Sequence, residues 1–282
     1  MTAAEALARY RAEAGPKFAA RVEAFLRWGG TNTDASLTAY VRELSAQGLR
    51  PGTVDLHVRT IRAFYRRFGL PAPRPRGFRF DPRDSHRPAL DRALIESLLR
   101  AAKEGELPAG SAWMLVLAAT YGMRAGELAA VRPEDVDLDG QRLYIRTLKG
   151  GQPRWCWLPP EVAALLPGEL PRVSANQAES AFAGIWGAVL EVERPKGTGW
   201  HSIRRSLVRD LRLAGVPREA RTRFLRWKGG GGDGAERMDE WYGHPSEVVG
   251  VSGVEAAREE DAGRREYDAA VWDRHPYLPI LR

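Results

Sequence analysis

Five prolines, Pro71, Pro73, Pro75, Pro82 and Pro88, fall within 18 residues and are interleaved with Arg74, Arg76, Arg79 and Arg83. Each proline removes a backbone donor and fixes φ at about −65°, so neither a helix nor a paired strand survives this spacing. An extended, semi-rigid strap is expected instead. The chain therefore divides into two parts, 1–88 and 89–282, and 282 residues suffice for two ordinary domains.

The two parts differ in charge. Residues 1–88 carry 16 Lys+Arg against 8 Asp+Glu, whereas residues 89–282 carry 27 against 28. The positive balance of the chain thus sits in its smaller part, which is the electrostatic footprint of a segment that tracks phosphates. Arginine supplies 38 of the 43 basic residues, a bias that a GC-rich genome would also produce. Against that bias each of the five lysines stands out, Lys149 among them.

Other features exclude function classes. No charged-then-apolar leader opens the chain, and the longest apolar run, Trp113 to Tyr121, is too short to span a bilayer. Cys156 is the only cysteine, so no intramolecular disulfide can form, and no Cys/His cluster suggests a metal site. A cytoplasmic protein with no cofactor, no metal, no membrane partner and no small-molecule substrate is expected.

Periodicity gives the elements. Phe18, Val22, Phe25 and Leu26 mark one helical stripe, and Leu37, Tyr40, Val41 and Leu44 a second. Pro51 opens a third helix, with Val54, Val58, Ile61, Phe64 and Tyr65 on one side and Arg59, Arg62, Arg66 and Arg67 on another. Those four arginines are the candidate phosphate contacts, although a solvated helix face would look the same. Beyond the strap come a helix from about Asp91 and an apolar helix through Met114, Leu115, Leu117 and Ala118. The period then shortens: Leu143 and Ile145 alternate with polar neighbours, Lys149-Gly150-Gly151-Gln152 can turn, and Trp155 and Trp157 alternate again. That reads as a β-hairpin with Lys149 at its tip. Helices follow near 176–190, 200–214, 218–227 and 236–243, and a last one starts at Ser252, where Ser252 and Glu255 form a capping-box pattern. The fold class is mainly α with a small antiparallel β-sheet (α+β).

Four local patterns carry possible chemistry. Arg124, in Tyr121-Gly122-Met123-Arg124-Ala125-Gly126-Glu127-Leu128, follows the apolar helix. Lys149 occupies the hairpin turn. His201 and Arg204 lie three residues apart on one helical face. Tyr242, in Met238-Asp239-Glu240-Trp241-Tyr242-Gly243-His244, ends a short helix. Singly they are weak signals, since Arg124 and Glu127 have the spacing of an ordinary surface ion pair.

Together, in this order, they resemble the tyrosine recombinases, the phage and plasmid integrases, over nearly the whole chain. The resemblance matches Arg124, Lys149, His201 with Arg204, Trp227 and Tyr242 as catalytic residues. It implies a helical core-binding domain at 1–88 and a catalytic domain at 89–282 whose C-terminal tail docks on a neighbouring protomer. It further implies a metal-free enzyme that cleaves and rejoins double-stranded DNA through a 3′-phosphotyrosyl intermediate in a synaptic tetramer. Two guanidiniums, Arg124 and Arg204, would neutralise charge growing on the phosphate oxygens. His201 would accept the tyrosine proton, Lys149 would protonate the leaving 5′-hydroxyl, and Trp227 would offer an N–H and packing. A type IB topoisomerase uses a similar set, and a non-catalytic DNA-binding protein could keep the same fold. The sequence departs from the family in two places: Lys228 to Gly234 lengthens the interval between Trp227 and Tyr242, and Arg205 stands where a second His is common. Tyr267 and Tyr277 are the competing nucleophiles.

Overall fold

A computed structural model describes residues 3–81, 89–108, 110–147, 152–227 and 264–282. The described chain separates into two compact units, 1–86 and 87–282.

The first unit is helical: α1 (Ala3–Ala14), α2 (Pro16–Arg27), α3 (Asp34–Ala46) and α4 (Pro51–Arg67). Helix α1 precedes the first stripe read from the sequence. Pro16 and Pro51 occupy first-turn positions, where a missing N–H costs nothing. The Thr33 hydroxyl caps α3 by accepting from the Ser36 N–H at 3.2 Å. Val22, Phe25, Leu37, Tyr40, Val58, Ile61 and Phe64 close the core, with Phe25 edge-on to Tyr40 and Tyr10 edge-on to Phe64. The strap is less free than its prolines suggest. The Arg74 N–H donates to Asp34 Oδ1 at 2.8 Å and the Arg76 N–H to the Thr38 hydroxyl at 2.9 Å, pinning its first half to α3.

The second unit is built around an apolar helix. Asp91 caps α5 (Arg92–Lys103) by accepting from the Ala93 N–H. Next comes α6 (Ala112–Tyr121), where every residue from Trp113 to Tyr121 is buried. A helix apolar all round can only lie inside. Then follow α7 (Ala125–Ala129), β1 (Val136–Asp137), β2 (Arg142–Ile145) and β3 (Arg154–Trp157). The strands form one antiparallel sheet in that order, with Leu143 opposite Cys156 and Tyr144 opposite Trp155. Leu143, Ile145 and Cys156 point into the core, as the alternation requires. After α8 (Pro160–Ala163) come α9 (Ala175–Val189), α10 (Trp200–Leu213) and α11 (Arg218–Phe224). Helix α11 stops at Phe224, three residues short of the expected end. No helix among the described residues is long and apolar enough to cross a membrane.

The C-terminal segment differs from expectation. Val271 and Trp272, which belong to the tail that the resemblance docks on a neighbouring protomer, are buried in this unit's own core together with Tyr277, Leu278 and Leu281. Trp272 meets Tyr121, Trp157 and Phe224 edge-on at centroid distances of 5.8, 5.1 and 5.1 Å. Asp268 adds charge to this seal, accepting from Arg154 and Arg223. Large apolar side chains gain more by closing their own core than by waiting for a partner. The expected helices near 236–243 and from Ser252 lie outside the described residues.

Candidate functional site

Helix α6 ends in the middle of the unit, where its last carbonyls have no intrahelical partner and carry the negative end of the helix dipole. Gly122 terminates it with φ of 62°. A side chain there would also collide, since a Cβ would come within 2.9 Å of Leu225 and 3.3 Å of Arg204. Three donors cover the exposed carbonyls. His275 Nε2 donates to Thr120 O at 2.8 Å, Arg226 Nη2 to Tyr121 O at 3.1 Å, and Arg204 Nη1 to Gly122 O at 2.5 Å. The other His275 nitrogen, Nδ1, accepts from the N–H groups of Tyr277 and Leu278. The ring is thereby fixed as the neutral Nε2–H tautomer, and burial lowers its pKa to about 4.

Two residues after Gly122, Arg124 begins α7. Its Nη1 donates to Glu127 Oε1 at 2.6 Å, while its backbone N–H donates to Glu127 Oε2 at 3.0 Å. The expected ion pair therefore forms, but it is no surface pair: the Glu127 side chain is 0% exposed and that of Arg124 22%. Arg226 Nη2 approaches Glu127 Oε2 at 3.4 Å from the opposite side. Burial alone would push the Glu127 carboxyl up, but Arg226, Arg204 and Arg124 more than offset this and hold it below its ordinary value.

Helix α10 brings in His201 and Arg204. Arg204 is fully buried, and its Nη2 donates to Leu225 O at 2.6 Å. Its guanidinium carbon lies 5.7 Å from the centre of the Trp227 ring, itself buried. His201, at the second position of the helix, is half-buried. Arg124, Arg204 and Trp227 thus gather at one corner, His201 stands on the helix that carries Arg204, and Lys149 and Tyr242 lie outside the described residues. Of the competing tyrosines, Tyr277 is sealed in the core with its hydroxyl donating to Asp210 at 2.7 Å. The Tyr267 ring is half-buried between the guanidiniums of Arg154 and Arg223, at 5.1 and 5.0 Å.

The sequence pattern did not point to Arg226 or to the burial of Glu127. A charged residue inside the apolar run Phe224-Leu225-Arg226-Trp227 was the available signal for the first. Only tertiary packing reveals the second.

On α4, Arg59, Arg66 and Arg67 are exposed and Arg62 is half-buried. Arg59 pairs with Asp55, and Arg67 with Glu13 of α1. Burial draws the Arg62 guanidinium below its ordinary range, and the nearby charges of Arg66 and Arg74 add to this. The positive charge here accordingly comes from Arg62 and Arg66 of α4 together with Arg74 of the strap, with Arg59 and Arg67 partly neutralised.

The helical first unit, the small antiparallel sheet and the convergence on the end of α6 define the tyrosine recombinase fold. Similar solved structures include a lambda integrase dimer bound to a COC′ core site, at TM-score 0.63 and 15% identity, covering 89% of this chain and 81% of that one. The Tn1549 transposon integrase in complex with transposon right end DNA gives TM-score 0.65 and 16% identity, covering 87% and 96%. A lambda integrase tetramer bound to a Holliday junction gives TM-score 0.63 at 15% identity over 89% and 81%. No family model and no curated protein sequence matches the chain.

Proposed function

We propose that this chain is a site-specific DNA recombinase that cuts and rejoins duplex DNA through a covalent phosphotyrosyl link. The observation that carries the reading is the convergence of Arg124 and Arg204, from segments 80 residues apart in sequence, around one buried carboxylate at the end of α6. Phosphodiester transfer to a tyrosine needs concentrated positive charge, because charge develops on the non-bridging oxygens, together with proton transfer at the attacking and leaving oxygens. Arg124 has solvent access and is assigned to the scissile phosphate. Arg204 lies deeper, where a dry surrounding strengthens its field. For Arg204 to touch phosphate directly, the cover over it must open when DNA binds.

In this reading the Tyr242 oxygen attacks phosphorus and the bond to the 5′-oxygen breaks. His201 takes the tyrosine proton, Lys149 supplies one to the leaving oxygen, and Trp227 packs against the Arg204 guanidinium. Each arginine contributes roughly 3–4 kcal/mol to the transition state, by analogy with oxyanion donors. The first unit, with Arg59, Arg62, Arg66 and Arg67, follows the DNA backbone. Lambda integrase has been solved both on a core site and as a tetramer on a Holliday junction, which supports duplex DNA as partner and a tetramer as the working assembly.

The test is capture of SDS-resistant protein–DNA adducts from a pool of nicked random-sequence duplexes, in EDTA. Adducts are expected with the wild-type chain and none with Tyr242→Phe, while Tyr267→Phe and Tyr277→Phe retain them. Adducts formed by Tyr242→Phe would refute the assignment of the nucleophile, and dependence on a divalent metal would refute the mechanism.

A further inference from the structure

Arg226 is an unexpected residue at this corner. It follows the end of α11 with φ of 57°, in the left-handed region that residues with a side chain seldom adopt. It is also a buried cation, 2% exposed. Each feature is unfavourable alone, and such features persist where the surroundings over-determine them. Here the surroundings do so. Arg226 Nη1 donates to Phe224 O at 3.1 Å, and Nη2 donates to Tyr121 O at 3.1 Å while meeting Glu127 Oε2 at 3.4 Å. Its neighbours in sequence are equally engaged, since Leu225 O accepts from Arg204 and the Trp227 ring lies beside that guanidinium.

We propose that Arg226 is a positioning residue for Arg124: by taking one oxygen of Glu127 and the last helical carbonyl of α6, it fixes the carboxylate that aims the Arg124 guanidinium. Among the described residues the Arg124 guanidinium bonds only to Glu127, so its direction depends on where that carboxylate stands. The groups facing the carboxylate are Arg124 at the start of its own helix, Arg204 of α10 and Arg226 after α11. Cys156 and Arg154 of β3 lie beyond, close to Arg226. Arg226 comes first among the cations that hold Glu127 ionised. Without it a buried carboxylate keeps its desolvation cost with less compensating charge. Glu127 then takes up a proton at higher pH, and its hold on Arg124 weakens.

The inference rests on the recombinase reading for its catalytic consequence but not for its electrostatic one, and two measurements separate them. The first uses a duplex recovered from the adduct pool as a nicked suicide substrate, with single-turnover cleavage followed from pH 5 to 9. Arg226→Gly removes the cation while relieving the left-handed backbone, so a purely conformational role predicts a variant as active as the wild type. The positioning role predicts DNA binding within about twofold of wild type and cleavage slowed by on the order of 100-fold, the cost of a misplaced catalytic group. It further predicts an acid limb moved to higher pH and partial recovery in Arg226→Lys. A wild-type rate and pH profile in Arg226→Gly would overturn it. The second measurement, a 13C NMR titration of the Glu127 carboxyl, needs no substrate. It is expected to show Glu127 titrating higher in Arg226→Gly, or in Arg226→Gln if the glycine variant does not fold. An unchanged titration overturns the inference even if no wild-type adduct is ever found, whereas a raised titration with no wild-type adduct refutes the recombinase reading alone.

Discussion

Among the described residues, both units carry arginines in exposed ion pairs, but only the second also buries arginine outright. In the first, Arg9, Arg11, Arg59 and Arg67 reach across the surface to Glu13, Glu23 and Asp55, with side chains 52–65% exposed. In the second, Arg204, Arg221 and Arg226 are buried and end on backbone carbonyls of Gly122, Leu225, Val216, Phe224 and Tyr121. Exposed pairs are worth about 0–1 kcal/mol and weaken with salt. A buried guanidinium that satisfies carbonyls is a cross-link, and removing it leaves acceptors stranded in a dry interior. The first kind of arginine can be lent to a polyanion at little cost to the fold, and the second cannot.

The largest effect that would sharpen this contrast comes from the tail that seals the second unit. Truncation after Pro245 removes Val271, Trp272, Tyr277, Leu278 and Leu281, all buried. At about 1.5–3 kcal/mol each this is of order 10 kcal/mol, comparable to the whole stability of a domain. The truncated chain should lose the cooperative unfolding of the second unit in calorimetry. A truncated protein that still melts cooperatively and loses only assembly would restore the expectation of a trans-docking tail.

Next in size is Arg204→Ala. Removing a buried charge whose two terminal nitrogens both bond to carbonyls costs about 3–5 kcal/mol, so melting temperature and cleavage should fall together. Arg66→Ala, on the exposed face of α4, should stay within about 0.5 kcal/mol of the parent. Equal effects of the two substitutions in denaturant titration would erase the distinction.

His275 gives a pH signature to the second unit. Its folded pKa of about 4 lies below the ordinary 6.5, so the unfolded chain binds the proton first. The stabilisation is complete above about pH 6.5 and is lost as pH falls toward 4, by about 3 kcal/mol. Stability curves of wild type and His275→Gln should therefore converge on acidification. Parallel curves would show that this ring does not titrate with folding.

The smallest effect on stability, though not on binding, is expected on the first unit. Removing Arg59, Arg62, Arg66 and Arg67 should leave its melting nearly unchanged. The dependence of DNA affinity on salt should flatten, its logarithmic slope falling by about 0.9 for each phosphate that is no longer neutralised. An unchanged slope would mean that this face is turned from DNA.

Much of this was legible in the residues. The stripes on α2, α3 and α4, the all-apolar α6 and the alternation of β2 and β3 follow from period alone, because burial of one face dictates them. The corner formed by Arg124, Arg204 and Trp227 was reached through motif order, which records the result of packing without showing it. Three things were not legible. Helix α1 carries few strong apolar anchors, so its pattern is faint. The tail's Val271 and Trp272 announce burial but not whose core they enter. Arg226 has a side chain that pattern rules place on the surface, and only the end of α6, which needs donors, explains why it lies inside.

The most direct measurement is mass spectrometry of the peptide that remains covalently attached to DNA after cleavage of a nicked duplex in EDTA. The account predicts a nucleotide on Tyr242, formed by the wild-type chain and lost in both Arg124→Ala and Arg204→Ala while DNA binding persists. A nucleotide on Tyr267, which lies between Arg154 and Arg223, or full adduct yield from either arginine variant, would contradict it.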